Sequence, residues 1–307
     1  MDFTTVILGA GEGTRMKSDL PKVLHPVAGY PMIRYVLDRA VELNSAKIVV
    51  VVGNRAELVR EELKSYPCRF VIQKQQLGTG HAVKSAVSEI EQSEFTLVLY
   101  GDVPLIQADT INQFIESIED YTASVIGMRL DDPSSYGRMV IQGNELIKIV
   151  EYRDADFQQR KINLVNTGIV FCRTAELIRS LELLSPQNDQ QEYYLTDIIE
   201  ILRSSNHKAT YFEADDHHQF FGANDRSALA KLSKLVRDKK CEKLMKEGVS
   251  FISPENTVVD YQVSIESGSV IYPFCYLTGE TRIGKNCVIG TGKFLKDQVV
   301  SDNQELS

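Results

Sequence analysis

From position 259 to 295 an aliphatic residue recurs at every sixth position: Val259, Ile265, Ile271, Leu277, Ile283, Ile289 and Leu295. A helix repeats near 3.6 residues and an exposed strand at two, so neither accounts for this spacing. A hexapeptide left-handed β-helix does. One apolar side chain per face points inward, and three faces close a coil of about 18 residues. Gly268, Gly279, Gly284, Gly290 and Gly292 fall at or near the intervening turns. The span covers about two coils.

The chain has 307 residues, which leaves room for a larger unit ahead of the repeat. Short apolar runs at Thr4–Leu8, Ile48–Val52, Phe70–Ile72 and Leu97–Tyr100 alternate with helical patterns over Met32–Leu43, Ala56–Leu63, Thr79–Ile90 and Thr110–Ile118. The runs are continuous rather than alternating, as in strands covered by helices on both faces. This order predicts an α/β fold with a doubly wound, mostly parallel sheet whose ligands sit beyond the carboxyl ends of its strands. After Val125 the pattern loosens. Mixed or antiparallel strands are expected near Met139–Ile141, Leu146–Glu151 and Ile169–Phe171, a helix over Thr196–Leu202, and strands near Thr210–Phe212 and Phe220–Phe221. The expected organisation is a catalytic domain over 1–225, a connecting helix over 226–249 and a short β-helix over 250–307.

The net charge of -8 disfavours nucleic acid as a partner, because phosphate backbones demand surplus Lys and Arg. Residues 226–247 hold eight basic and three acidic residues, but an apolar stripe there reads as a packed helix. The uncharged stretch Phe3–Gly11 is too short to span a bilayer, so no membrane partner is expected. Cys68, Cys172, Cys241, Cys275 and Cys287 are scattered without a C-x-x-C pair, which fits reduced thiols and a cytoplasmic setting.

Leu8-Gly9-Ala10-Gly11-Glu12-Gly13-Thr14-Arg15 follows the first strand. Its glycines allow a tight turn whose backbone N–H groups can face phosphate. The spacing superficially resembles a dinucleotide fingerprint, but no lone acidic residue ends a second strand where a ribose would need it. There is no G-K-[ST] either, which excludes a P-loop. Arg15 and Lys22 are suited to neutralising a triphosphate and the pyrophosphate that leaves. Gln73 and Gln76 offer amide edges suited to a pyrimidine, and Gly78 permits close backbone approach. His81, at a helix start, reads as a packing or capping residue rather than a general base. Asp102 ends the strand Leu97–Tyr100 and is a natural Mg²⁺ ligand beside phosphates.

The motifs LGAGEGTRMKSDLPKVLHPVAG, QKQQLGTGHAV, LYGDVPL, YGRMV, KIVEY, VNTGIVF, EYYLTDII and FFGANDR occur in that order. Through them the chain resembles the uridylyltransferase half of the bifunctional N-acetylglucosamine-1-phosphate uridyltransferase/glucosamine-1-phosphate acetyltransferase family. The interval from Arg15 to Lys22 is of the N-acetylhexosamine type, since thymidylyl- and glucose-type relatives usually place more residues there. The resemblance implies that UTP and N-acetylglucosamine 1-phosphate are the substrates and Mg²⁺ the cofactor. Leu8, Gly9, Ala10, Gly11, Gln73, Gln76, Gly78 and Thr79 would bind the nucleotide. Arg15, Lys22 and Asp102 would be the catalytic residues, with Asp102 and Asn224 holding the metal. Tyr100, Gly137, Glu151, Asn166, Tyr194 and Thr196 would receive the sugar phosphate.

The family usually has Ala at Gly9, Lys at Glu12, Glu at Gln75 and Asn at Asp225; none of these departures removes an expected ligand. The family's acetyl-transfer residues sit in later coils, and no histidine follows His218. The expectation is therefore uridylyl transfer without acetyl transfer. The alternatives are another sugar, such as N-acetylgalactosamine 1-phosphate, and a non-catalytic UTP-binding or assembly module. A weak dimer or trimer through the β-helix is also expected.

Overall fold

The computed structural model describes residues 1–307, which divide into two compact units. The first comprises Met1–Leu24 and Ile33–Phe221; the second comprises His25–Met32 and Gly222–Ser307. The segment 25–32, which falls inside the domain expected from sequence, thus groups with the second unit.

The first unit is built on nine strands: β1 (Phe3–Gly9), β2 (Lys47–Val52), β3 (Arg69–Ile72), β4 (Phe95–Tyr100), β5 (Ala123–Arg129), β6 (Arg138–Gln142), β7 (Glu145–Val150), β8 (Leu164–Arg173) and β9 (Ala209–Glu213). Their order is β9-β5-β8-β4-β1-β2-β3, with β6 paired to β8 and β7. Strands β4, β1, β2 and β3 are parallel, β8 runs antiparallel to both β4 and β5, and β9 is parallel to β5. All seven residues of β1 are buried, because its alternate side chains enter different cores. Ile7, Val50, Leu97 and Leu99 pack with Ile33, Val36, Leu37, Ile111 and Phe114. Val6, Leu8, Val49, Val51 and Val98 pack with Val83, Leu177, Leu181, Ile198 and Leu202. A continuous apolar run is what a strand between two such layers requires, and each fully buried aliphatic side chain contributes about 1.5–3 kcal/mol.

The helices of this unit are α1 (Met32–Glu42), α2 (Ala56–Glu62), α3 (Thr79–Ser85), α4 (Val87–Ile90), α5 (Ala108–Glu116), α6 (Thr174–Glu182) and α7 (Ile198–Ser204). The helix expected over 79–90 is interrupted at Ala86, which caps both pieces. No strand forms at Phe220–Phe221. Residues His217–Phe220 make a 3-10 turn capped by the Asp216 carboxylate, which accepts from His218 N.

In the second unit, helix α8 (Arg226–Lys246) starts at Asp225, whose side chain accepts from Ala228 N at 2.8 Å. Three parallel sheets follow. Val259 pairs with Leu277, Ile265 with Ile283 and Ile271 with Ile289, each 18 residues on. One sheet holds four strands, from Ser250–Phe251 to Glu305–Leu306, so the helix makes three turns rather than the two expected. In the last turn Ile283 pairs with Val300, one residue short of the repeat.

Candidate active site

The parallel strands end on one rim of the sheet. Strand β1 ends at Gly9, β4 at Tyr100, and Gln73 follows β3 with its N–H bonded to Val52 O at 2.8 Å. Antiparallel β8 brings Asn166 opposite Gly127, near the carboxyl end of β5 and hence to the same rim.

The loop after β1 is anchored at both ends. Leu8 and Ala10 are buried, and Met16, 1% exposed, pins the 3-10 turn Thr14–Met16. Gly13 has φ +63°, and a Cβ there would lie 2.7 Å from Lys22 Cβ. Only glycine lets the loop close over the lysine stem. Lys22 donates to Asp102 Oδ2, and their side chains are 13% and 17% exposed. Asp102 is presented by Gly101, whose N–H bonds Leu8 O at 2.9 Å. A Cβ at Gly9 would lie 3.3 Å from both Ile33 Cδ1 and Val51 O, whereas one at Gly11 would face open space. Arg15 is exposed on the same loop.

On the nucleoside side, Gln73 is 4% exposed, and its Nε2 lies 3.1 Å from Gly78 O and 3.0 Å from His81 Nδ1. Gln76 Nε2 approaches Gln73 O at 3.4 Å. Gly78 precedes α3 with φ +109°, and a Cβ there would meet Tyr193 O at 2.6 Å. That close approach permits a strap of three hydrogen bonds: Tyr193 N to Leu77 O at 2.8 Å, Gly80 N to Tyr193 O at 2.8 Å, and Leu195 N to Thr79 Oγ1 at 3.0 Å. The Tyr100 phenol lies near Thr79, and its pKa is raised chiefly by burial. The strap thus ties the turn that carries Gly78 and Thr79 to the segment that carries Tyr194 and Thr196.

On the sugar side, Glu151 accepts from Thr196 Oγ1 at 3.2 Å. Burial raises the Glu151 pKa, and the negative charges of Asp197 and Asp154 add to the rise. Gly137 leaves room for this carboxylate, whose Oε1 lies 3.2 Å from where a Cβ would be, and Gly137 O accepts from Asn166 N at 2.9 Å. Asn166 is 8% exposed and its Oδ1 accepts from Gly168 N at 2.8 Å, at an irregularity in β8. Tyr194 is buried, and burial pushes its phenol up to about 12.

The structure therefore gathers Lys22 with Asp102, Gln73 with Gly78, and Gly137 with Glu151, Asn166 and Thr196. Asn224 belongs to the second unit, just ahead of Asp225. Sequence reasoning passed over Arg138. It is 2% exposed and donates from Nη2 to Ser134 O at 2.9 Å and from Nη1 to Tyr136 O, holding the turn that leads to Gly137. Burial lowers its pKa. An arginine beside Gly137 was visible in sequence, but charged residues are ordinarily assigned to the surface. Tyr136, in the same turn, has its pKa raised by burial and then by the Asp102 charge.

A rim of this kind, with a glycine-rich loop, an Asp at a strand end and a polar wall on an added hairpin, defines a sugar-1-phosphate nucleotidyltransferase. Residues 5–251 match the MobA-like NTP transferase domain. The bifunctional protein GlmU of Syntrophomonas wolfei is 38% identical over 309 residues, covering 100% of this chain and 69% of its own. That of Carboxydothermus hydrogenoformans is 41% identical over 305 residues, covering 98% of this chain and 68% of its own. This chain belongs to the GlmU family, and it spans about two thirds of the length of these relatives. Among solved structures, UDP-glucose pyrophosphorylase complexed with UDP-glucose superposes with TM-score 0.63 at 19% identity, covering 78% of this chain and 100% of that one. A glucose-1-phosphate thymidylyltransferase from Bacillus anthracis gives 0.60 at 20% identity, covering 77% and 96%. These two share the fold.

Proposed function

We propose that the chain joins UTP to N-acetyl-α-D-glucosamine 1-phosphate, giving UDP-N-acetylglucosamine and pyrophosphate. The observation that carries this reading is the pairing of Lys22 with Asp102 at the strand ends that also lead to the pyrimidine-suited Gln73, with the hydroxyl-suited Glu151 carboxylate and Asp102 both close enough to act on Tyr100. A phosphate oxygen of the sugar phosphate attacks the α-phosphorus of UTP in line. The new P–O bond forms as the bond from the α-phosphorus to the bridging oxygen breaks, and the electron pair leaves with pyrophosphate. Lys22 and Arg15 neutralise the β- and γ-phosphates and the leaving group. Leu8, Gly9, Ala10 and Gly11 offer backbone groups to the nucleotide, alongside Gln76 and Thr79. Tyr100, Gly137, Glu151, Asn166, Tyr194 and Thr196 hold the acceptor. Orientation and charge stabilisation supply the rate, with no covalent nucleophile.

Mg²⁺ is the proposed metal. The chain has no group of three or more His, Cys, Asp or Glu able to hold a cation alone. One carboxylate beside phosphates suits Mg²⁺, which keeps water and substrate oxygens as most of its ligands. Asp102 is the proposed carboxylate, and the part assigned to Asn224 is tested by Asn224→Ala in a Mn²⁺ titration with UTP present. Bound there, the cation supplies charge neutralisation between the reacting phosphates. We place the activity in the cytoplasm; no helix is long and apolar enough to cross a membrane. Phe274 and Phe294, 67% and 60% exposed, support weak self-association through the β-helix, tested by light scattering of Phe294→Ser.

The deciding experiment is pyrophosphate release with UTP, dTTP, ATP and GTP against the 1-phosphates of glucose, glucosamine, N-acetylglucosamine and N-acetylgalactosamine. UTP with N-acetylglucosamine 1-phosphate is the pair expected to be fastest. A preference for glucose 1-phosphate would overturn the acetamido role of Asn166.

A further inference from the structure

Gln73 is the most buried of the side chains expected to meet the nucleobase, and its amide has little freedom. Nε2 points at Gly78 O, a carbonyl that already accepts from Ala82 N at 3.1 Å. A carbonyl only accepts, so the amide atom facing it must be the nitrogen; turned over, the amide would set oxygen against oxygen. The second hydrogen of Nε2 goes to His81 Nδ1 at 3.0 Å, which requires a ring whose Nδ1 carries no proton. The His81 ring is itself held beside the Tyr193 ring, with centroids 6.3 Å apart. Both amide hydrogens are then engaged within the protein, and Oε1 is the group that remains for a ligand.

We propose that His81 is a positioning residue that sets nucleobase specificity by locking Gln73 as a pure acceptor toward the pyrimidine edge. This rests on the nucleoside role given to Gln73 above. Uracil presents N–H at ring position 3, which Oε1 accepts. Cytosine presents a bare nitrogen there, so two lone pairs face each other and the buried amide oxygen goes unsatisfied, a mismatch that sites of this kind reject strongly. Thymine carries the same N–H, so this device separates UTP from CTP and leaves UTP against dTTP to other contacts. Without His81 only the contact with Gly78 O holds the amide, and in the space the imidazole leaves it can swing off that carbonyl and offer Nε2 to cytosine.

The test compares kcat/KM for UTP and CTP in the wild type, His81→Leu, His81→Asn and Gln73→Ala. Asn places an acceptor oxygen at the δ position that Nδ1 occupied. The UTP-to-CTP ratio is expected to fall at least about tenfold in His81→Leu and to stay within about threefold of wild type in His81→Asn. Equal losses for both nucleotides in His81→Leu, leaving the ratio unchanged, would show a merely structural histidine and overturn the proposal. So would a fall in His81→Asn as large as in His81→Leu. Should His81→Leu not fold by circular dichroism, His81→Ala is read against the same thresholds. Gln73→Ala separates the two assignments. A wild-type ratio there removes Gln73 from the base and the proposal with it, whereas a collapse there without one in His81→Leu removes only the role of His81.

Discussion

Lys22 donates from Nζ to Oδ2 of Asp102, so a cation of the loop after β1 neutralises the carboxylate at the end of β4, 80 residues away in sequence. Register puts the two together: Leu8 lies opposite Tyr100, so the turns leaving both strands share one rim. A lysine and a divalent cation compete for the same oxygen, whereas a triphosphate offers that lysine another partner. Asp102→Asn is expected to remove most turnover with the fold intact. Lys22→Met should lower kcat more than it raises KM for the sugar phosphate, and should tighten Mn²⁺ binding without nucleotide by several-fold, on the order of 1 kcal/mol. Unchanged Mn²⁺ affinity in a titration of folded Lys22→Met would show that the pair does not occupy the metal's oxygen.

Gly78 couples the two walls. Its φ of +109° and the 2.6 Å approach to Tyr193 O leave no room for a methyl group. Gly78→Ala is expected to cost about 1–3 kcal/mol of stability and to weaken both substrates together, because the strap from 77–80 to 193–195 must shift. Calorimetry with each substrate separately checks this. Loss confined to UTP would mean that the strap does not transmit the disturbance to the sugar side.

Asp197 supplies a pH test. Burial first, then the charges of Glu200 and Asp154, lift its pKa from 3.8 to about 6. A carboxyl whose folded pKa lies above its unfolded value contributes stability fully present below pH 3.8 and lost as pH rises through about 6. Above that window the wild type carries a burial cost that Asp197→Asn lacks. The variant is therefore expected to melt higher by roughly 2–4 °C at pH 8, with the gap closing toward pH 4. Thermal melts across that range decide it, and a gap independent of pH would assign the effect to packing.

The rim is legible in the sequence because the motifs that build it sit at strand ends, where chain order alone fixes which turns meet. What was lost has local causes. Strand β5 reads Ala-Ser-Val-Ile-Gly-Met-Arg, and its small and glycine residues weaken the apolar run although six of the seven are buried. Helix α6 begins directly after β8, with no loop to mark the change. Counting by sixes gives the β-helix one turn too few because its last turn has a residue fewer. Val300 follows Leu295 by five positions, so counting by six misses it while the register keeps it inside. From sequence His81 reads as a packing or capping residue, and only the fold shows that its Nδ1 lies 3.0 Å from the Gln73 amide.

The second unit has its own test. Asp260 is 2% exposed, yet both carboxylate oxygens are engaged: Oδ1 accepts from Arg237 Nε at 3.0 Å and Nη2 at 2.8 Å, and Oδ2 accepts from Thr278 Oγ1 at 2.6 Å. The carboxylate thus ties α8 to successive turns of the β-helix. Gly29, with φ +76°, lies so close that a Cβ there would meet Oδ2 at 2.5 Å, which ties the hairpin Pro26–Pro31 to the same point. Removing one partner of a buried pair leaves the other uncompensated, at about 3–5 kcal/mol, and here the 28% exposure of the Arg237 side chain places the cost of Asp260→Ala near the lower end. Asp260→Asn keeps the shape and is expected to cost less. Urea unfolding followed by far-ultraviolet circular dichroism measures both. A loss below about 1 kcal/mol in Asp260→Ala would mean that the apolar stack of Val259, Leu277 and Leu295 holds this unit without the ion pair.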